Sequence, residues 1–462
     1  MIKARMFLFK FIFLICLIFL INGLLSPLWS HNFIKTNSSN FDSLLDSSNS
    51  STWSRIWETE HSIGEELVTD ASYNVYIAGR IYEYTDNKIF NIKYDKYGFE
   101  QWNKTWKFYD YCENVKLAID SRSNIFNLVS FSLSDLSVLM KINNSGFSEW
   151  NQTIKGCANV IYLDKLDNIY ISGYIWDSNT DMAYIFLKKF NQNGISLWNN
   201  TFLVDDFHDL SLGYPCAIMV DHLNQTWVAG LLHTLGFPGE STYLSFNYYT
   251  PAPYVYISVY NSSGNLVSFH KWRIYDYYIS KKIIFDTSCN LYLMGVDKSL
   301  SLNKLFKHNS SGELIFSTPD WHKDAIGETL EFWENIAQDP SNNTYCTGIN
   351  YFWTGRGNYE LYIVRFDNQG NFEWDGAYNL FHDARCSDIY IDSNYSIYLT
   401  GINDERMLIL KNPILGDFSD PFYINLELII SASSIFCIWG LIGIFFYIRF
   451  LRRSPKKVLI TA

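Results

Sequence analysis

The sequence predicts an all-β fold: a seven-bladed β-propeller of four-stranded antiparallel blades, flanked by an N-terminal signal or anchor and a C-terminal transmembrane helix. Three observations predict it. A strand motif with a preceding polar turn recurs seven times. A glycine turn followed by an aromatic residue trails each of the first six copies. Aromatic residues make up 18% of the chain, which favours β-structure over helix.

The first motif reads Asp70-ASY-NVYIAG, Asp120-SRS-NIFNLV, Asp164-KLD-NIYISG, Asp221-HLN-QTWVAG, Asp286-TSC-NLYLMG, Asp339-PSN-NTYCTG and Asp392-SNY-SIYLTG. Six copies end on glycine; in the second, Val129 stands in that place. The spacing is about 54 residues per repeat, somewhat above the usual propeller blade. Asp and Asn side chains bond nearby backbone amides in tight turns and tolerate unusual dihedrals, which suits them to the lead-in.

The second motif is YDKYGFEQW to Trp102, INNSGFSEW to Trp150, FNQNGISLW to Trp198, HNSSGELIF to Phe316 and FDNQGNFEW to Trp374. The fourth copy, YNSSGNLVS, carries Ser268 in place of the aromatic, and Trp272 follows four residues later. Glycine supplies the positive φ of a hairpin turn. Between the turns lie short runs rich in Tyr, Ile, Val and Phe with partial period-2 alternation. Each repeat therefore yields four strands. Seven such sheets bury their faces by packing around a common axis.

The seventh copy stops at Lys411 without its tryptophan strand. The missing piece is expected at the other end: Trp53-SRI-Trp57 resembles Trp102-NKT-Trp106 and should complete blade seven, closing the ring and removing its edges.

The NIYISG strand, the Lys/Arg-aromatic-Asp/Asn-x-x-Gly turn and the WNxT strand resemble the SBBP-type (seven-bladed β-propeller) repeats of prokaryotic surface and secreted proteins. The resemblance spans Trp53 to Lys411. It implies a scaffold for surface display and no defined activity. Blade two, without its glycine, and blade four, with a long insertion, depart most from the pattern.

Outside the repeats, residues 1–25 combine Lys3, Arg5 and Lys10 with the apolar run Phe11–Leu25, the pattern of a cleaved signal peptide or an uncleaved signal anchor. A Ser/Asn-rich linker covers 26–52, the propeller 53–411 and a juxtamembrane linker 412–427. Leu428–Ile448 is 21 residues without a charge, long enough to span a bilayer. Arg449, Arg452, Arg453, Lys456 and Lys457 follow and place the tail 449–462 in the cytoplasm and the propeller outside. The expected location is the cell membrane, single-pass, or two-pass if the signal is retained.

Eight of the 36 basic residues lie in those ends, which hold none of the 47 acidic ones, so the remainder carries a net charge of −19. That argues against nucleic acid or an anionic membrane surface as partner. Glycosylation sequons begin at Asn37, Asn49, Asn103, Asn143, Asn151, Asn199, Asn224, Asn261, Asn309, Asn342 and Asn394, all between the apolar runs, as expected of an exported domain.

Two faces are expected. The Asp-x-x-x-Asn and Asn/Asp-x-x-Gly turns share one face and are short. The other connections vary in length and are aromatic, with Tyr82 and Tyr84, Tyr109 and Tyr111, Trp176, Tyr275 with Tyr277 and Tyr278, Trp321 with Trp333, and Trp353, and the largest insertion in blade four. Variable loops on a rigid scaffold are where binding resides, and Tyr and Trp make good anchors. The ligand-binding candidates are Trp176, Tyr243, Tyr248, Tyr249, Tyr277, Trp321 and Trp353. Both tethers should join the short-turn face, turning the loops away from the membrane.

Catalytic chemistry is not expected. The nine histidines do not recur at equivalent positions, and no nucleophile motif, phosphate loop or metal-ligand pair is present. No cofactor or metal is expected. The turn aspartates read as structural rather than as calcium ligands, because calcium needs six to eight oxygens in one place. Cys112, Cys157, Cys216 and Cys386 recur before first strands without zinc-site spacing; they read as buried thiols or as a Cys112–Cys157 bridge between neighbouring blades. The function expected is a cell-surface binding or adhesion propeller that meets an extracellular protein or glycan. The alternatives are an envelope component without a dedicated ligand, or a propeller hydrolase or lyase.

Overall fold

The computed structural model describes residues 52–82, 87–131, 133–177, 179, 182–203, 211–234, 249–251, 254–274, 277–297, 303–319, 329–352, 358–379, 384–403 and 405–412. The apolar ends, the linkers apart from Thr52 and Asn412, the tail, Asn37 and Asn49 lie outside them. No helix among the described residues is long and apolar enough to cross a membrane.

The described residues form seven antiparallel sheets: in six the first to fourth strands follow chain order, the fourth strand of the seventh comes from the start of the propeller, and the fifth sheet carries one extra short strand. Blade one is typical: Ser62–Thr69, Val75–Tyr82, Asn87–Tyr94 and Glu100–Phe108. The first strands of the seven blades are Ser62–Thr69, Cys112–Ile119, Cys157–Leu163, Ser211–Val220, Tyr277–Phe285, Thr329–Gln338 and Ala384–Ile391. Each touches the first strand of the next blade, and the seventh touches the first, so together they line a closed axis.

The ring closes as the sequence predicts. Trp53–Glu60 is the fourth strand of blade seven: Trp53 pairs with Lys411 and Ile56 with Leu408. The architecture is a closed seven-bladed propeller.

Repeating side chains hold each blade. Asp70 Oδ1 accepts the Ser72 and Asn74 amides at 2.9 and 3.0 Å, and its Oδ2 accepts Asn74 Nδ2 and the Tyr76 hydroxyl at 2.8 and 3.1 Å. The same amide bonds recur at Asp120, Asp164, Asp221, Asp286, Asp339 and Asp392. These carboxylates are engaged by their own turns, which is the structural role expected of them. A cation then covers the tyrosine ring: Lys93 Nζ lies 5.0 Å from Tyr76, Lys189 4.7 Å from Tyr170, and Lys411 5.3 Å from Tyr398.

A second device joins blade to blade. The tryptophan of one blade rests on the turn glycine of the next: Trp53 on Gly98, Trp102 on Gly146, Trp150 on Gly194 and Trp198 on Gly264. Blade four lacks an aromatic at Ser268, and Trp272 takes the place by covering Gly312; Phe316 covers Gly370. The glycines need φ near +80° and leave no room for a Cβ under the ring.

The glycine that ends the second strand has another cause. The first strand of every blade carries a β-bulge. In blades one, three, four and seven a Cβ on Gly79, Gly173, Gly230 or Gly401 would collide with a carbonyl of the bulged strand. In blade two the bulge lies two pairs nearer the strand start, between Cys112 and Asn114, and Val129 pairs with Val115 in regular register. The departure at Val129 follows from that displacement.

Candidate ligand-binding face

The bulges turn one residue of each first strand out of the alternating pattern: Glu65, Glu113, Asn159, Cys216, Glu334 and Ser387, with a wider irregularity over 280–282 in blade five. The axis is therefore lined with polar groups rather than with the aliphatic residues that fill the spaces between blades.

Ion pairs cross it. Glu66 of blade one accepts Lys116 of blade two and lies 3.5 Å from Lys282 of blade five. Lys282 also pairs with Asp388 of blade seven at 2.9 Å, and Asp388 accepts the Leu67 amide at 3.1 Å. Burial works against the Glu66 charge, but Lys116 and Lys282 hold its carboxyl below the usual range. Burial lifts Asp388 to about 6 against the pull of Lys282. Two carboxylates and two ammonium groups thus tie four blades together across the axis. In blade six Glu334 is 6% exposed, its Oε2 has no hydrogen-bond partner, and burial pushes its carboxyl to about 8 despite Arg385.

Towards the long-loop face the lining becomes aromatic. Glu65 pairs with Arg80 and accepts the Val115 amide of blade two at 2.8 Å. Arg80 also donates to the Cys112 carbonyl, and its Cζ lies 5.1 Å from the centre of the Tyr82 ring. Tyr82 is 40% exposed, Tyr111 46% and Tyr109 fully so. In blades three and four Tyr174 and Tyr214 face each other at 6.4 Å, half-buried.

The residues expected to bind ligand divide. Trp176 is half-buried at the end of the second strand of blade three, Ile169–Asp177. Tyr277 is half-buried and meets Phe306 edge-on at 5.1 Å, within the core of blade five. Tyr249 opens a short strand, Tyr249–Pro251, in which it pairs with Ser280 on the inner edge of blade five, so the end of the blade-four insertion reaches the axis. Tyr243, Tyr248, Trp321 and Trp353 lie outside the described residues. Tyr82, Tyr109 and Tyr111 are more exposed than Trp176 and Tyr277.

The Cys112–Cys157 bridge is not formed. Both are buried free thiols, as is Cys386, and burial pushes all three to about 12. Across the blade boundary Cys157 Sγ meets Glu113 at 3.4 Å, because the displaced bulge of blade two brings Glu113 there. Among the described residues no three His, Cys, Asp or Glu side chains gather as a metal site.

No protein-family model matches the chain. No curated protein matches it. Among solved structures it is similar to Drosophila Plexin A in complex with Semaphorin 1b, at 8% identity over 79% of this chain and 87% of that one, TM-score 0.42. It is similar to the β-propeller domain of the Trilobed protease from Pyrococcus furiosus, at 12% identity over 78% and 98%, TM-score 0.40. It is also similar to polysaccharide lyase Uly1, at 10% identity over 77% and 90%, TM-score 0.44. Likeness at this level carries no functional argument; the fold assignment rests on the strand pairing.

Proposed function

We propose that this chain is a cell-surface binding propeller of the SBBP-repeat kind, which meets an extracellular protein or glycan through its long-loop face. The observation that carries the reading is Tyr82, exposed and covered by the Arg80 guanidinium of the Glu65–Arg80 pair, with Tyr109 and Tyr111 exposed just before the first strand of blade two. A half-buried ion pair under an exposed aromatic ring provides contact area at low entropic cost. The neighbouring axial carboxylates Glu66 and Asp388 are already paired with lysines, which favours recognition over acid–base catalysis.

The exit of the chain supports the orientation. Lys411 Nζ lies 3.5 Å from the Lys96 carbonyl, and the Asn412 amide donates to the Ile397 carbonyl at 2.7 Å, both among the short turns. The test is a glycan and envelope-protein binding screen with the full chain in detergent. Tyr109→Ser with Tyr111→Ser should weaken the leading interaction at least about tenfold, the size of a modest hot spot. Unchanged binding would remove these tyrosines from the site.

A further inference from the structure

The nine described sequons fall into three structural classes of three. In the first, the asparagine follows the blade-joining tryptophan on a fourth strand: Asn103, Asn151 and Asn199, in Glu100–Phe108, Ser148–Lys155 and Ser196–Leu203. These pair with Ile92, Met140 and Lys188, the same register place in three consecutive blades. In a strand, residues two apart share a face, and Asn103 with Thr105, Asn151 with Thr153, and Asn199 with Thr201 are all exposed.

In the second class the side-chain oxygen is held by its own turn, which fixes the amide against the backbone. Asn143 Oδ1 accepts the Ser145 and Phe147 amides at 3.0 Å, and Asn261 and Asn309 make the equivalent bonds. In the third the hydroxyl partner is sealed at the start of the second strand or just before it: Thr226 after Asn224 is 1% exposed, Thr344 after Asn342 0%, and Ser396 after Asn394 6%.

We propose that Asn103, Asn151 and Asn199 carry N-linked glycans, attached to the folded propeller, and that these sheath the rim of blades one to three. Attachment joins Nδ2 to the anomeric carbon of a lipid-linked oligosaccharide phosphate. The carbon–oxygen bond to phosphate breaks, its electron pair leaves with the lipid phosphate, and the amide proton passes to that phosphate or to water. A fourth strand has one edge of unpaired backbone groups, and a bulky polar chain there blocks edge-to-edge pairing. In blades four to seven the equivalent places hold Phe269, Ser317, Asp375 and Ser54, so that arc of the rim stays bare.

The proposal rests on the surface-display reading above. Its test is glycopeptide mass spectrometry of the native full chain, with protease accessibility on intact cells measured separately. Glycan is expected at Asn103, Asn151 and Asn199, with the six turn sequons unmodified, and Asn103→Gln, Asn151→Gln and Asn199→Gln together should remove all glycan mass from the described region. Bare asparagines at the three strand sites, or equal occupancy of the turn sites, would overturn it. Bare asparagines on a protease-accessible propeller would sink the proposal alone; an inaccessible propeller would sink the display reading with it.

Discussion

The indole of Trp53 lies against Gly98, 2.6 Å from where a Cβ would stand, and its Nε1 donates to the Lys96 carbonyl at 3.1 Å. The first residue of the propeller thus fastens blade seven to blade one with the same latch that joins the interior blades. Gly98→Ala should cost roughly 2–4 kcal/mol, because it strains a φ of +81° and displaces the ring. Trp53→Ala should cost about 3–5 kcal/mol. Urea unfolding checks both; a loss near zero would mean that closure contributes little to stability.

Lys282 is the cation through which blade five reaches blades one and seven. Lys282→Met leaves Glu66 and Asp388 short of a partner and should destabilise by about 3–5 kcal/mol, whereas adding Asp388→Leu should restore part of the loss. A strictly additive double variant would show that the pair is not coupled.

Glu334 ties stability to pH. Its carboxyl holds a proton up to about 8 in the fold and releases it near the ordinary glutamate range when unfolded. Between those values the folded state binds more protons, so this group makes stability fall as pH rises, by up to about 1.4 kcal/mol per unit. Glu334→Gln should flatten that slope and leave the variant more stable than the parent at pH 8. An unaltered profile would show that Glu334 is ionised in the fold.

Cys112, Cys157 and Cys386 should resist alkylation at pH 8 in the native protein and react fully after unfolding, since each is buried with a thiol held near 12. Non-reducing mass spectrometry should find no Cys112–Cys157 peptide pair.

Val129 separates two explanations of the repeat glycine. If the glycine answers the bulge, Val129→Gly gains nothing and opens a cavity at a fully buried place, costing about 2–3 kcal/mol. Gly173→Ala should cost more, because the new methyl meets the Cys157 carbonyl. A neutral Gly173→Ala would refute the bulge argument.

Much of this architecture is legible along the chain because propeller blades are local. The turn at Asp70, its Asn74 and the strand through Gly79 satisfy one another within ten residues, so seven recurrences announce seven sheets. Closure by Trp53 is legible for the same reason: a strand absent after Lys411 and a matching one before blade one are both visible as text. The site is less legible. The sequence points to aromatic loops as a class, yet Tyr277 packs into blade five while Tyr109 stands open, and residue type alone does not distinguish them.

Tertiary structure decided the rest, because the axis is made of residues that no local pattern relates. Lys282 and Asp388 lie 106 positions apart and meet only when the ring closes. The bulge that removes glycine from blade two is a property of strand register, set by which carbonyl faces which amide. Equivalent-looking sequons differ because Asn103 stands on an open strand while Asn143 folds onto its own turn. The repeat itself determined the blades; the geometry around the common axis determined which side chains are buried, paired or free to meet a ligand.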